Sequence, residues 1–201
     1  ALNRQVWEAL RQKLAGRTQG SPLRVLEVGS GIGTMVERLL EWDVLRQARY
    51  TALDQEAACL EIAEKRLKAW ALAHQRRFSR TAPGMHITGG ELDLDLSLHP
   101  GELGTYLTSG EGLGSYDLLI AHAFLDLVDL KSTLPRLLRQ LAPGGLFYFT
   151  INFDGLSVFE PTLDVQMDET IVALYHETMD TRQANGAPAG ASRAGRRLFA
   201  A

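Results

Sequence analysis

The chain has 201 residues, 45% of them hydrophobic and 22% charged, enough to bury one sizeable core and ordinary for a globular domain. A formal net charge of -3 gives no global attraction to phosphate backbones or anionic lipid, so neither nucleic acid nor membrane is expected as a partner. One cysteine, Cys59, excludes an internal disulfide and a cysteine-built zinc site, and no apolar run has signal-peptide or membrane-span length; the expected setting is cytoplasmic.

Val6, Leu10 and Leu14 recur at helical spacing between Arg4, Arg11 and Lys13, predicting an amphipathic helix to Gly16, with Gly16 to Pro22 as a linker. Leu23 to Val28 is a short apolar run entering a glycine cluster. Met35, Val36, Leu39 and Leu40 then resume helical spacing, which reads as strand, tight turn, helix. A second strand over Tyr50 to Leu53 ends in Asp54, and Leu60, Ala63, Leu67 and Trp70 mark one face of a helix reaching His74. A third strand is predicted at His86 to Thr88. Asp93 to Ser115, with five glycines, reads as a loop of a length commonly tied to function.

Leu118 to Ala121 reads as a fourth, buried strand, Leu134 to Leu141 as a helix starting near Ser132, and Leu146 to Ile151 as a fifth strand behind Pro143-Gly144-Gly145. Past Gly155 the pattern loosens. Thr170 to Met179 reads as helix, Ala184 to Gly195 is rich in Ala, Gly and Pro, and Arg196 to Ala201 begins another helix. Alternating strands and helices predict an α/β fold, a three-layer doubly wound, mostly parallel sheet with helices on both faces.

A strand entering a glycine turn before a helix lets backbone N–H groups approach a ligand, and an acidic residue ending the next strand can hold a ribose diol. The glycines are Gly29, Gly31 and Gly33, whereas a dinucleotide fingerprint wants its third at position 34, which is Thr. Glu27, two residues before the first glycine, would repel a diphosphate. It suits a ligand with a cationic end, such as the ammonium and sulfonium of S-adenosylmethionine. Asp54 can equally be read as a helix cap, since one carboxylate can begin a helix and bind ribose.

Glu27-x-Gly29-x-Gly31-x-Gly33 with Asp54 closely resembles motifs I and II of the class I S-adenosylmethionine-dependent methyltransferase superfamily, and the resemblance runs from about Leu23 to Phe153. It implies S-adenosylmethionine as cofactor, with Glu27, Gly29, Ser30, Gly31 and Gly33 around the methionine end, Asp54 on both ribose hydroxyls and Gln55 bordering the adenine. Glu91 and Leu92 stand where the family has its adenine contacts after strand three, with Asp93 and Asp95 competing for the role. Tyr116-Asp117-Leu118-Leu119-Ile120-Ala121-His122 looks like the fourth-strand motif, which implies Ala121 and His122 beside the transferable methyl. The resemblance divides the single expected domain into a helix and linker (1–20), a cofactor-binding core (21–153) and an acceptor-side cap (154–201). It also implies C-terminal strands missing from this chain.

Methyl transfer from a sulfonium is an in-line displacement for which positioning suffices, and an acceptor that loses a proton adds a base. His122 and Asp126 are the candidates for that base. Phe124, Phe159, Tyr175 and His176 are candidates for acceptor contact, against their plainer reading as packing or helix-surface residues. No histidine pattern suggests a metal. The fourth strand lacks the Asn/Asp-Pro-Pro-aromatic motif of amine methylases of bases and the paired acids of metal-dependent catechol methylases, and Cys59 is misplaced for a nucleophile. A small-molecule acceptor remains. The alternatives are an NAD-dependent oxidoreductase with an irregular fingerprint and a catalytically inactive binding protein on the same fold.

Overall fold

The computed structural model describes residues 3–15, 20–162, 164–184 and 186–199. Asn3 begins the first helix, α1 (Arg4–Ala15), by accepting the amide hydrogens of Gln5 at 2.9 Å and Val6 at 3.3 Å on its side-chain oxygen. The buried face of α1 is Trp7, Leu10 and Leu14 rather than Val6, Leu10 and Leu14; Val6 is half exposed. The reason is aromatic. Trp7 packs on Trp42 with ring centroids 4.2 Å apart and lies 6.3 Å from Tyr148. The expected helix end at Gly16, most of the linker, and the final Ala200 and Ala201 lie outside the described residues.

Strand β1 (Leu23–Val28) pairs in parallel with β2 (Gln47–Asp54), from Leu23 opposite Ala48 to Val28 opposite Leu53. Helices α2 (Thr34–Glu41) and α3 (Ala57–Ala73) follow them. Alternate strand residues, among them Val25, Tyr50 and Leu96, form one apolar cluster with Leu10 of α1, Leu39 of α2 and Leu67 of α3. Period-two strands and period-3.6 helices thus share a single core.

The third parallel strand is not His86 to Thr88. Those residues belong to β4 (Gly84–Gly89), which runs antiparallel both to β3 (Arg77–Thr81) and to β5 (Leu92–Pro100). It is β5 that lies parallel to β2, with Gln47 opposite Asp93 and Asp54 opposite Pro100. The stretch read as a loop from Asp93 therefore starts as a strand. Leu92, Leu94, Leu96 and Leu98 point into the core while Asp93 and Asp95 are exposed. Its remainder contains α4 (Leu103–Ser109).

Strands β6 (Tyr116–His122) and β7 (Leu141–Thr150) complete a seven-stranded, mostly parallel sheet of order β3-β4-β5-β2-β1-β6-β7. Pro143-Gly144-Gly145 lies inside β7 rather than ahead of it. The preceding helix, α5 (Leu130–Leu138), starts earlier than expected because the Asp129 carboxylate accepts from the amides of Lys131 and Ser132.

The chain forms two compact units, one of Ala1–Ile120 with Arg139–Tyr148, the other of Ala121–Leu138 with Phe149–Ala201. Within the second, a 3-10 turn (Leu125–Leu127), α5, α6 (Val165–Asp180), a two-stranded hairpin of β8 (Gln183–Ala184) and β9 (Ala187–Pro188), and α7 (Ala194–Phe199) succeed one another. Asp164 caps α6 by accepting from Gln166 and Met167 amides, and at its far end Asp180 accepts from the amide and hydroxyl of Ser192, both at 2.8 Å. No side chain of α6 is buried. Among the described residues, no helix is long and apolar enough to cross a membrane and no side-chain cluster could hold a metal ion.

Candidate functional site

The β1–α2 turn takes its shape from glycine. Gly29, Gly31 and Gly33 all have positive φ, at 66, 53 and 76°, where a side chain is strained. Gly33 is doubly constrained, since a β-carbon there would sit 3.0 Å from the Ala63 side chain on α3. At Gly31 no atom of the described residues, its chain neighbours aside, lies within 4 Å of where a side chain would begin. That side of the turn is open to a ligand.

Two ties join the turn to β2. Ser30 N–H donates to the Leu53 carbonyl at 3.1 Å, and Gly31 N–H to Asp54 Oδ2 at 2.7 Å. Asp54 Oδ1 accepts from Glu56 N–H at 2.9 Å, which opens the approach to α3. Asp54 is thus an organiser of the turn and of the following helix, with both oxygens fixed at the carboxyl end of the strand. Gln55 is exposed beside it. The Ser30 hydroxyl is sealed from solvent without a hydrogen-bond partner among the described residues, an unmet polar group in the cradle itself.

Glu27 is 3% exposed. Tyr50, at 1% exposure, donates its phenol hydrogen to Glu27 Oε2 at 2.8 Å. Burial pushes the Glu27 carboxyl up to about 8, the Tyr50 hydrogen bond opposes the rise, and the charge of Asp54 adds to it. The charge of Asp54 disfavours a diphosphate at this end of the sheet, and the buried Glu27 carboxyl gains as a carboxylate only when a cation stands beside it. An open glycine turn, a fixed carboxylate at the next strand's end and a buried acid fit S-adenosylmethionine on their own chemistry.

Glu91 and Leu92 do not join this site. Glu91 immediately precedes β5, and by register the start of β5 lies beside the start of β2, whereas Asp54 lies beside Pro100. Seven residues at ~3.3 Å each separate Asp93 from Pro100 by roughly 23 Å. Glu91 instead pairs with Arg46 at 2.9 Å, Asp93 meets the His86 ring at 2.6 Å, and Asp95 shares its half of the strand. What does reach Asp54 is the other end of β5, where Gly101 N–H donates to the Asp54 carbonyl at 2.9 Å. His99 there meets the edge of the Tyr106 ring at 5.9 Å, and Tyr106 is anchored through Tyr116 at 2.5 Å to Thr51 at 3.3 Å.

Of the remaining expected residues, all in the second unit, Ala121 is fully buried and His122 half-buried, with its Nδ1 2.9 Å from the Thr150 hydroxyl. Asp126 is buried, with Oδ1 sealed and unbonded among the described residues. Tyr175 and His176 both set ring edges against Phe153, at 5.9 and 5.3 Å. Phe124 is half-buried and Phe159 exposed.

Over residues 26–147, more than half of its length, the chain matches the family described as a methyltransferase domain. No curated protein matches it. Among solved structures it is similar to the CurJ carbon methyltransferase, at 20% identity over 74% of this chain and 34% of that one with a TM-score of 0.53. It is likewise similar to the DszA carbon methyltransferase, at 18% identity over 74% and 34% with a TM-score of 0.53. The chain spans about a third of the length of both. Identity this low speaks to the fold alone. A nicotinamide-dependent oxidoreductase finds no support in these matches.

Proposed function

Because the chain belongs to the methyltransferase domain family, whose cofactor is S-adenosylmethionine, we propose that it passes that methyl group by in-line displacement to a small-molecule acceptor. The observation that carries the reading is the buried Glu27 carboxyl behind an open glycine turn. When bound, the cofactor supplies an electrophilic methyl group; the protein's part is to hold and orient.

The amides of Gly29 to Gly33 and the Ser30 hydroxyl would line the methionine end, Glu27 would meet its ammonium, Asp54 would accept from the ribose hydroxyls, and Gln55 would border the adenine. His99, Pro100 and Gly101, at the β5 end beside Asp54, replace Glu91 and Leu92 as the proposed adenine neighbours. For an acceptor that loses a proton, His122 is the proposed base, supported by the Thr150 contact that fixes one ring nitrogen. Asp126 is the second candidate, supported by a sealed oxygen that takes no hydrogen bond from a described residue. Tyr175 and His176, with Phe153, form the aromatic group proposed for acceptor contact, and Phe124 and Phe159 stand outside those ring contacts. A cytoplasmic setting fits a chain with one free cysteine.

Thermal denaturation tests the cofactor. S-adenosylhomocysteine is expected to raise the melting temperature with concentration and NADH to leave it unchanged; the reverse pattern overturns the reading. Binding without methyl transfer from labelled cofactor to any of a broad panel of small molecules would favour the non-catalytic binding protein.

A further inference from the structure

A carboxyl in the middle of a parallel sheet, with Leu26 and Val28 beside it fully buried, is costly to fold around. Tyr50 lies opposite Val25, two residues nearer the start of β1 than Glu27, so its phenol reaches Oε2 from the core side. Oε1 takes no hydrogen bond from a described residue and is not sealed from solvent. The phenol therefore fixes the carboxyl while one oxygen stays available at the end of the strand where the glycine turn begins.

We propose that Tyr50 is a positioning residue of the cofactor site, and that the Glu27–Tyr50 pair couples cofactor binding to loss of a proton from Glu27. This rests on the cofactor reading above and adds a thermodynamic mechanism to it. In the ligand-free protein the carboxyl, with its affinity for the proton raised to about 8, is mostly neutral at neutral pH. An arriving ammonium stabilises the carboxylate, and the proton passes to buffer. The groups acting on Glu27 are Tyr50 and Asp54, both from β2. The residues that α2 and α3 bury in the core are apolar, Met35, Val36, Leu39 and Leu60 among them, and Glu37 of α2 and Arg66 of α3 are bonded to each other.

Isothermal titration of the full chain with S-adenosylhomocysteine, from about pH 6 to 9 in buffers of different ionisation heat, tests the coupling. Expected is release of close to one proton near pH 7, and affinity that rises about tenfold per pH unit until it levels off above about pH 8. Glu27→Gln should abolish both effects. Any titration of the ligand's own amine is common to every variant, so the difference between curves is what counts. Tyr50→Phe removes the bond that favours the charged carboxyl, so its curve should move to higher pH, weaker than wild type near pH 7 and converging with it near pH 9. Structural damage would not converge.

Wild type binding without proton release, on a curve parallel to Glu27→Gln, overturns the coupling and leaves the cofactor reading standing. A Tyr50→Phe curve that overlies wild type removes the positioning role. Folded wild type that fails to bind at any pH overturns the cofactor reading and the proposal together.

Discussion

The corner made by β1, its glycine turn and β2 is held from several directions. Gly31 and Glu56 amides clasp Asp54, Ser30 is tied to Leu53, Gly101 donates to the Asp54 carbonyl, and Tyr50 holds Glu27. Helix α6 is fastened at its ends, by the Asp164 cap and by Asp180 on Ser192, and between them Val165, Met167, Ile171 and Leu174 stay exposed. In the first region geometry is over-determined and polar groups are buried at a cost, which is how a preorganised site is built. In the second, apolar side chains gain little from burial within the described chain, so packing alone does not explain them.

Substitutions at each place should separate the two. The largest effect is expected at Glu27. Its folded-state proton affinity, about 8, lies above the ordinary 4.5. This group's full contribution to stability is therefore present below about pH 4.5. It is lost as pH rises and the unfolded chain ionises first, and the loss ends near pH 8. Glu27→Gln cannot ionise, so in urea denaturation of the ligand-free protein the variant should be more stable than wild type at pH 8, by on the order of several kcal/mol. Parallel stability curves for the two would mean that burial costs this carboxyl nothing.

Asp54→Ala should come next. It leaves two backbone amides without their acceptor, which corresponds to about 1–3 kcal/mol of stability, and it should weaken S-adenosylhomocysteine binding on the order of a hundredfold in titration calorimetry, roughly 2.7 kcal/mol. Unchanged affinity would reduce Asp54 to a helix-capping role. The smallest effect belongs to α6. Ile171→Ser, at a residue 43% exposed, should alter unfolding free energy by less than about 0.5 kcal/mol and leave cofactor binding alone. A loss well above 1 kcal/mol would show that this helix face is covered in solution, and the contrast between the regions would narrow.

How far each region could be read without coordinates follows from how local its signals are. Gly29, Gly31, Gly33, Glu27 and Asp54 announce themselves by spacing along a strand-turn-helix, and the structure gathers Glu27 and Asp54 at the end of adjacent parallel strands. The strand from Leu92 to Leu98 was also legible, because leucine alternates there with Asp, Asp and Ser at a period of two. His86 to Thr88 competes with it for the place of the third parallel strand, because the antiparallel β3–β4 hairpin is defined by pairing and not by any local pattern. The pairing leaves Glu91 and Leu92 at the start of β5, the opposite end of that strand from the residue beside Asp54. A buried tyrosine in β2 implies a hydrogen-bond partner, but naming Glu27, 23 positions away, takes the register between two strands. Trp7 displaced Val6 from the core for a similar reason, its partners Trp42 and Tyr148 being distant in sequence.

Asp54 has a consequence for binding heat and rate. Its carboxylate is clasped by two amide hydrogens before any ligand arrives, so its rotational freedom is surrendered during folding. A diol that docks there need not order that side chain, a saving of about 0.5–1.5 kcal/mol for one immobilised group. Association at this corner is then expected to be governed by encounter and desolvation, with little rearrangement of the protein to slow it.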